Sequence, residues 1–254
     1  MVLCVSMIDT SHQGCLGGRG NRLVTGDREV KPFQLRLYED VIAPSHPPVY
    51  LPAARRAIYV VRGDVSIEFD TGAQHHPAQS AWLGEDDVAL VAGSEGATLW
   101  RWELMSGDAP TPGEIASAPG AASTLKLAAP IALDPRQRWL MRCDKVQFPP
   151  GGVAHTHVHQ GPGVRCTLEG EITIETLGAS HTHGPGQAWL ELGHAPVLAP
   201  TTEARDTTFI RCFILPRACR NRSSIRYVHP EDMNKDKPQR YHVFGERFIT
   251  LDAQ

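Results

Sequence analysis

Leu168-Glu169-Gly170-Glu171-Ile172-Thr173-Ile174-Glu175 matches Val61-Arg62-Gly63-Asp64-Val65-Ser66-Ile67-Glu68 at an offset of 107 residues. The same offset lays Ala188-Trp189-Leu190 on Ala81-Trp82-Leu83 with no gap between. Further on, Ile210-Arg211-Cys212 resembles Trp100-Arg101-Trp102 after a three-residue insertion in the second copy. A turn glycine followed by alternating apolar residues, then an Ala-Trp-Leu strand, points to one module used twice. In the second copy, strands are expected at 142–148, 154–159, 164–168, 171–176, 187–190 and 207–215. Turn chemistry joins them at Gly161-Pro162-Gly163, Glu169-Gly170, Gly178 and Gly184-Pro185-Gly186. No long amphipathic helical pattern competes. The expected fold class is all-β, two tandem double-sheet barrels of the jelly-roll kind.

The whole chain divides accordingly. A Gly-rich flexible N-terminal arm covers 1–25, and the first barrel 26–104. A linker rich in Pro, Ala, Gly and Ser covers 105–122, the second barrel 123–220, and a tail 221–254. Ile225, Tyr227, Tyr241, Val243, Phe244, Phe248 and Ile249 give that tail too much apolar surface for a bare linker. It is expected to dock on a barrel or on a partner subunit, which makes a homodimer the expected assembly.

A chain of 254 residues has room for two modules, and 41% hydrophobic with 21% charged residues is a globular composition. A net charge of -3 and a pI near 6.4 give no general attraction for nucleic acid. No apolar run approaches the roughly 18 residues that suggest a membrane span. Six cysteines without a CxxC pair read as reduced thiols, and Met1 to Gly20 lacks the pattern of a secretion signal, so a cytoplasmic location is expected. No phosphate loop or dinucleotide fingerprint is present, and no cysteine has a neighbouring base.

The candidate chemistry lies in Gly151-Gly152-Val153-Ala154-His155-Thr156-His157-Val158-His159. Alternate residues of a strand share a face, so His155, His157 and His159 are expected to present three imidazoles to a divalent metal. At the repeat offset these positions hold Pro48, Tyr50 and Pro52, so the first barrel is expected to be structural and metal-free. Arg165 shares strand parity with Gly163. It is either a clamp for a substrate carboxylate or an ordinary surface arginine. His181 and His183 read as a loop, and His194, freed to turn by Gly193, is a further candidate ligand. Trp82 and Trp189 read as core.

The histidine run resembles the first motif of the cupins. Gly151, His157, His159 and Gly170 fall in its register, while its glutamate position holds Gly163. The resemblance implies a missing anionic ligand, for which His155 is the substitute. The second motif, read from Gly186, has Leu192, His194, Val197 and Thr201 at its required positions and is largely lost. His194 lies three residues before the place of the expected late histidine. As a whole the chain resembles a bicupin, two double-stranded β-helix barrels with a metal motif only in the C-terminal one. That likeness implies one divalent transition metal (Fe, Ni, Cu, Mn or Zn, undistinguished) and a small-molecule substrate. Dioxygenase-type oxidoreductase chemistry is the leading reading. A metal-dependent isomerase or lyase, a non-catalytic small-ligand or metal-binding module, and a storage-like bicupin are the alternatives.

Overall fold

The computed structural model describes residues 33–106 and 120–251, together with the strand pair Val24–Thr25 and Arg28–Glu29. Most of the expected arm and linker lies outside the described residues. Two units are present. In the first, 1–30, Val24–Thr25 pairs antiparallel with Arg28–Glu29. The second, 31–254, holds everything discussed below.

Among its described residues the second unit is built from antiparallel strands, with two short 3-10 turns, Arg217–Cys219 and Pro230–Asn234. The C-terminal module consists of two five-stranded sheets. One is ordered Ala188–Glu191, Gly163–Glu169, Thr207–Pro216, Trp139–Phe148, Arg240–Ile249. The other runs Ala179–His183, Ile172–Thr176, Val197–Pro200, Val153–His159, Ile225–Tyr227. In the N-terminal module the corresponding strands run on without a break. Arg55–Phe69 and Val88–Met105 each serve both faces of one seven-stranded sheet, bending at register shifts on either side of Gly63.

The repeated glycine has a physical cause. Gly63 and Gly170 both have positive φ, 73° and 72°, where a side chain is strained. A Cβ on Gly170 would run into the carbonyl of Asp206 and the side chain of Thr207. The turn therefore admits glycine alone in both copies.

Strands Trp139–Phe148 and Thr207–Pro216 are buried along nearly their whole length instead of alternating with solvent. Both of their faces are covered. Trp139, Met141, Cys143, Ile210, Cys212 and Ile214 join Leu37, Tyr59, Trp100 and Trp102 of the other module in the largest core, which lies between the two barrels. On the opposite face, Val146, Phe148 and Phe209 pack inside the C-terminal barrel with Trp189. Two sheets packed face to face explain why the period-two pattern weakens there. Trp82 is 7% and Trp189 5% exposed, core residues as expected.

Strand Ala121–Ile131 pairs with Phe33–Ile42 in the N-terminal sheet, so the expected boundary at 122/123 falls inside an N-terminal strand. The tail docks on its own chain. Ile225–Tyr227 pairs with the histidine strand and Arg240–Ile249 with Trp139–Phe148. Part of its apolar surface is thereby seated within the subunit, Ile249 in the inter-barrel core and Phe248 against Leu140, Phe213 and Leu215, while Tyr241 stays exposed. No helix among the described residues is long and apolar enough to cross a membrane. Cys143, Cys166, Cys212 and Cys219 are free and buried, and burial pushes each thiol above its usual pKa.

Candidate metal centre

The histidine strand does not keep a strict alternation. Ala154 pairs with Ala199 but the next partner, Val197, faces His157, so one residue is inserted between them as a β-bulge. The bulge flips parity. Ala154, His157 and His159 are buried and face inward, whereas His155 is half-buried on the other side. Two imidazoles converge instead of the expected three, with ring centroids 4.9 Å apart and planes nearly perpendicular.

His155 enters the site through its backbone. Its carbonyl oxygen lies 2.8 Å from His157 Nδ1. A carbonyl can only accept, so Nδ1 carries the hydrogen and the neutral ring keeps its lone pair on Nε2. His159 Nδ1 is 3.2 Å from Ser224 Oγ, supplied by the tail. Hydrogen bonds of this kind orient an imidazole for ligation.

The carboxylate missing at position 163 comes from the adjacent strand. Gly163 lies directly opposite Glu191 in the ladder. Ligand atoms of His157, His159 and Glu191 all lie within 4.8 Å of one another, and all three residues are buried. Glu191 is held on both oxygens: Trp189 Nε1 donates to Oε1 at 3.0 Å, and Arg165 Nη2 lies 2.7 Å from Oε2. His159 Nε2 is 3.8 Å from that same Oε2. A side chain at 163 has no room, since a Cβ there would sit 2.7 Å from Phe213 Cδ1. The sequence reading missed Glu191; the one signal that points to it is a departure from the repeat, Ala-Trp-Leu being followed by Gly84 in the first copy.

The remaining candidates are placed differently from expectation. Arg165 is fully buried behind Glu191, donates from Nη1 to the Gly163 carbonyl at 2.5 Å, and stacks over Phe213. It is not among the residues that line the cavity, so it braces the carboxylate where a substrate clamp was expected. Burial pulls its guanidinium down to about 10, against the raising effect of Glu191, which leaves it charged at neutral pH. His194 is exposed and outside the cluster, the chain turning at Gly193 before it reaches the barrel interior. His181 and His183 lie on an edge strand and not in a loop, His183 stacked on Trp189 at 4.9 Å.

Burial lowers the pKa of His157 and, more strongly, of His159, where Arg211 and Arg165 add to the effect. Both rings are therefore neutral at physiological pH, the state that ligates. Two imidazole nitrogens and one carboxylate fit a divalent first-row metal and leave other coordination positions open. Above them is a cavity of about 370 Å³, roofed by Ser224, Tyr227, Lys237 and Gln239 of the tail. Among the described residues no other group of three His, Cys, Asp or Glu side chains converges in this way.

No protein-family model and no curated protein matches the chain. Solved structures do. A single-residue variant of oxalate decarboxylase from Bacillus subtilis aligns with TM-score 0.51 and 10% identity, over 82% of this chain and 80% of that one. Procruciferin, an 11S globulin from Brassica napus, aligns with TM-score 0.51 and 6% identity, over 70% and 75% respectively. Likeness at this identity is likeness of fold. The chain has the bicupin fold, two jelly-roll modules in tandem, with a candidate metal site in the C-terminal one.

Proposed function

We propose that the C-terminal barrel is the centre of a metal-dependent oxidoreductase that uses dioxygen on a small molecule. The observation that carries this is the convergence of His157, His159 and Glu191 at a cavity. A two-histidine, one-carboxylate set with open positions is the donor arrangement typical of non-haem ferrous oxygenases. A divalent metal held there supplies a Lewis acid and, where it is iron, a redox-active centre with exchangeable positions.

The chain's own residues prepare the site. The His155 carbonyl fixes the His157 tautomer, and Ser224 orients His159. Trp189 and Arg165 lock the Glu191 carboxylate. Phe148, Ile172 and Phe209 make the cavity wall apolar and restrict water around the ligands.

Metal analysis tests the first half. Wild-type protein is expected to take up about one equivalent of metal, and His157→Ala with His159→Ala to lose affinity by more than ~100-fold. Nitric oxide added to the anaerobic ferrous protein tests the second half, because it reports an exchangeable position without any substrate. A high-spin ferrous nitrosyl EPR signal supports the reading. Loaded protein without that signal leaves a metal-binding module and removes the oxidoreductase; no uptake of any of the five metals removes both.

A further inference from the structure

Resting on that reading of the site, we infer that Arg142 is a positioning residue: it clamps the tail loop that orients His159. The two imidazoles are held from different places. The partner of His157 is the His155 carbonyl, in its own strand. The partner of His159 is Ser224, 65 positions further along the chain, in the loop between Arg217–Cys219 and Ile225–Tyr227. The His159 ring is therefore fixed only as well as that loop is placed.

The loop has little packing of its own. Cys219 anchors its start in the core, but residues 220–223 are exposed. Asn221 has a positive φ of 56°, a conformation that a residue with a side chain keeps where its surroundings hold it. Ser224, next but one to Arg222, is buried again.

Arg142 supplies the hold. It is buried on strand Trp139–Phe148, and its Nη2 donates to the Cys219 carbonyl at 2.5 Å and to the Arg222 carbonyl at 3.0 Å. Glu246, directly opposite in the ladder, accepts from Arg142 Nε at 2.6 Å. The other Glu246 oxygen accepts the Asn221 N–H at 3.0 Å. One buried ion pair thus grips the loop at Cys219, Asn221 and Arg222. The planar guanidinium, with its donors in a fixed fork, holds the carboxylate and both carbonyls in a single geometry. That geometry sets where Ser224 meets His159, and orienting partners of this kind tune a ligand's affinity for metal.

Nitrogen-15 spectra of the histidine rings in metal-free protein at neutral pH test this on wild type and Arg142→Met. Arg142→Met combined with Glu246→Met leaves no stranded carboxylate and serves where the single variant does not fold. In wild type each of the two rings is expected to show one tautomer. In the variants His159 is expected to average between tautomers, while His157, held by its own strand, is unchanged. An unchanged His159 overturns the inference, and so does averaging of both rings, which is general loosening and not positioning. Zinc affinity is read on the same proteins. A loss of about tenfold is expected in each variant, and no further loss when Arg142→Met is added to Ser224→Ala. Additive losses overturn the route through Ser224. Failure of wild type to take up zinc counts against the metal reading, and the ring spectra then decide the clamp alone.

Discussion

Where the C-terminal barrel sets Gly163 opposite Glu191, the N-terminal barrel sets Arg56 opposite Gly84. The large and the small residue have changed places across the same rung of the ladder. Arg56 is 1% exposed, lies 3.2 Å from Glu103 and donates to the Pro52 carbonyl. Glu103 also takes Arg101 at 2.8 Å, and Arg101 grips Asp40 through two hydrogen bonds of 2.6 and 3.1 Å. A closed network of buried ion pairs occupies the N-terminal interior. The C-terminal barrel has the same motif of an arginine on an aspartate, Arg211 on Asp144, but clears the neighbouring space for two imidazoles and a cavity. One fold thus holds charge in two ways. In the first module it is consumed internally; in the second it is arranged around room for something else.

Removing one carboxylate from each barrel breaks this comparison most sharply. Glu191→Ala strands a fully buried Arg165, and Glu103→Ala strands Arg56 while Arg101 keeps Asp40. Each is expected to cost about 3–5 kcal/mol in urea unfolding, because an unpaired buried charge remains. Metal content separates them: Glu191→Ala loses it, Glu103→Ala keeps it. Loss of metal in Glu103→Ala would show that the N-terminal network supports the site across the inter-barrel core, and the division of labour would fall.

The two modules were legible because a repeat copies what a barrel cannot vary: the positive-φ glycine, the core tryptophan and the alternation around them. Histidines at 157 and 159 were legible for the same reason, as part of a framed motif. The carboxylate was not. Ladder neighbours such as Gly163 and Glu191 are 28 positions apart in the chain, and pairing register is a property of the folded sheet. His155 misled for a local reason, since a bulge of one residue reverses every side-chain direction on one side of it, and nothing in Val-Ala-His-Thr-His announces where the bulge falls. Parity left Arg165 either an inward clamp or a surface arginine; the fold buries it, on a partner that was hidden with Glu191.

Restoring the motif carboxylate sharpens the point about space. Gly163→Glu is expected to cost about 1–3 kcal/mol, since its Cβ starts 2.7 Å from Phe213 Cδ1. It should not raise metal affinity, the anionic position being filled already by Glu191. A tighter metal site in that variant would mean that the ladder neighbour is a poor substitute.

The same imidazoles make the metal-free protein sensitive to acid. Burial lowers the pKa of His157 and His159 below 6.5, so as pH falls the unfolded chain takes up protons first. Their neutral, buried state contributes stability that is complete above pH 6.5 and is lost progressively below it. Melting temperature measured from pH 7.5 to 5.5 should fall in metal-free wild type, and less steeply in His157→Ala with His159→Ala. Parallel slopes would place the acid sensitivity elsewhere, His76 and His183 being half-buried rings whose pKa burial also lowers.

The smallest expected effect falls on the two histidines that the sequence nominates and the fold sets aside. His155 contributes a carbonyl, which alanine retains, and His194 is exposed. Metal affinity in His155→Ala and in His194→Ala should stay within about twofold of wild type, whereas replacing an orienting partner costs ~10–100-fold. Competition with a chromophoric chelator resolves that difference. A tenfold loss in His155→Ala would mean that the bulge slides by one residue when metal binds, bringing the third imidazole inward. The C-terminal barrel would then differ from its N-terminal copy in having a strand register that its ligand selects, and not in chemistry alone.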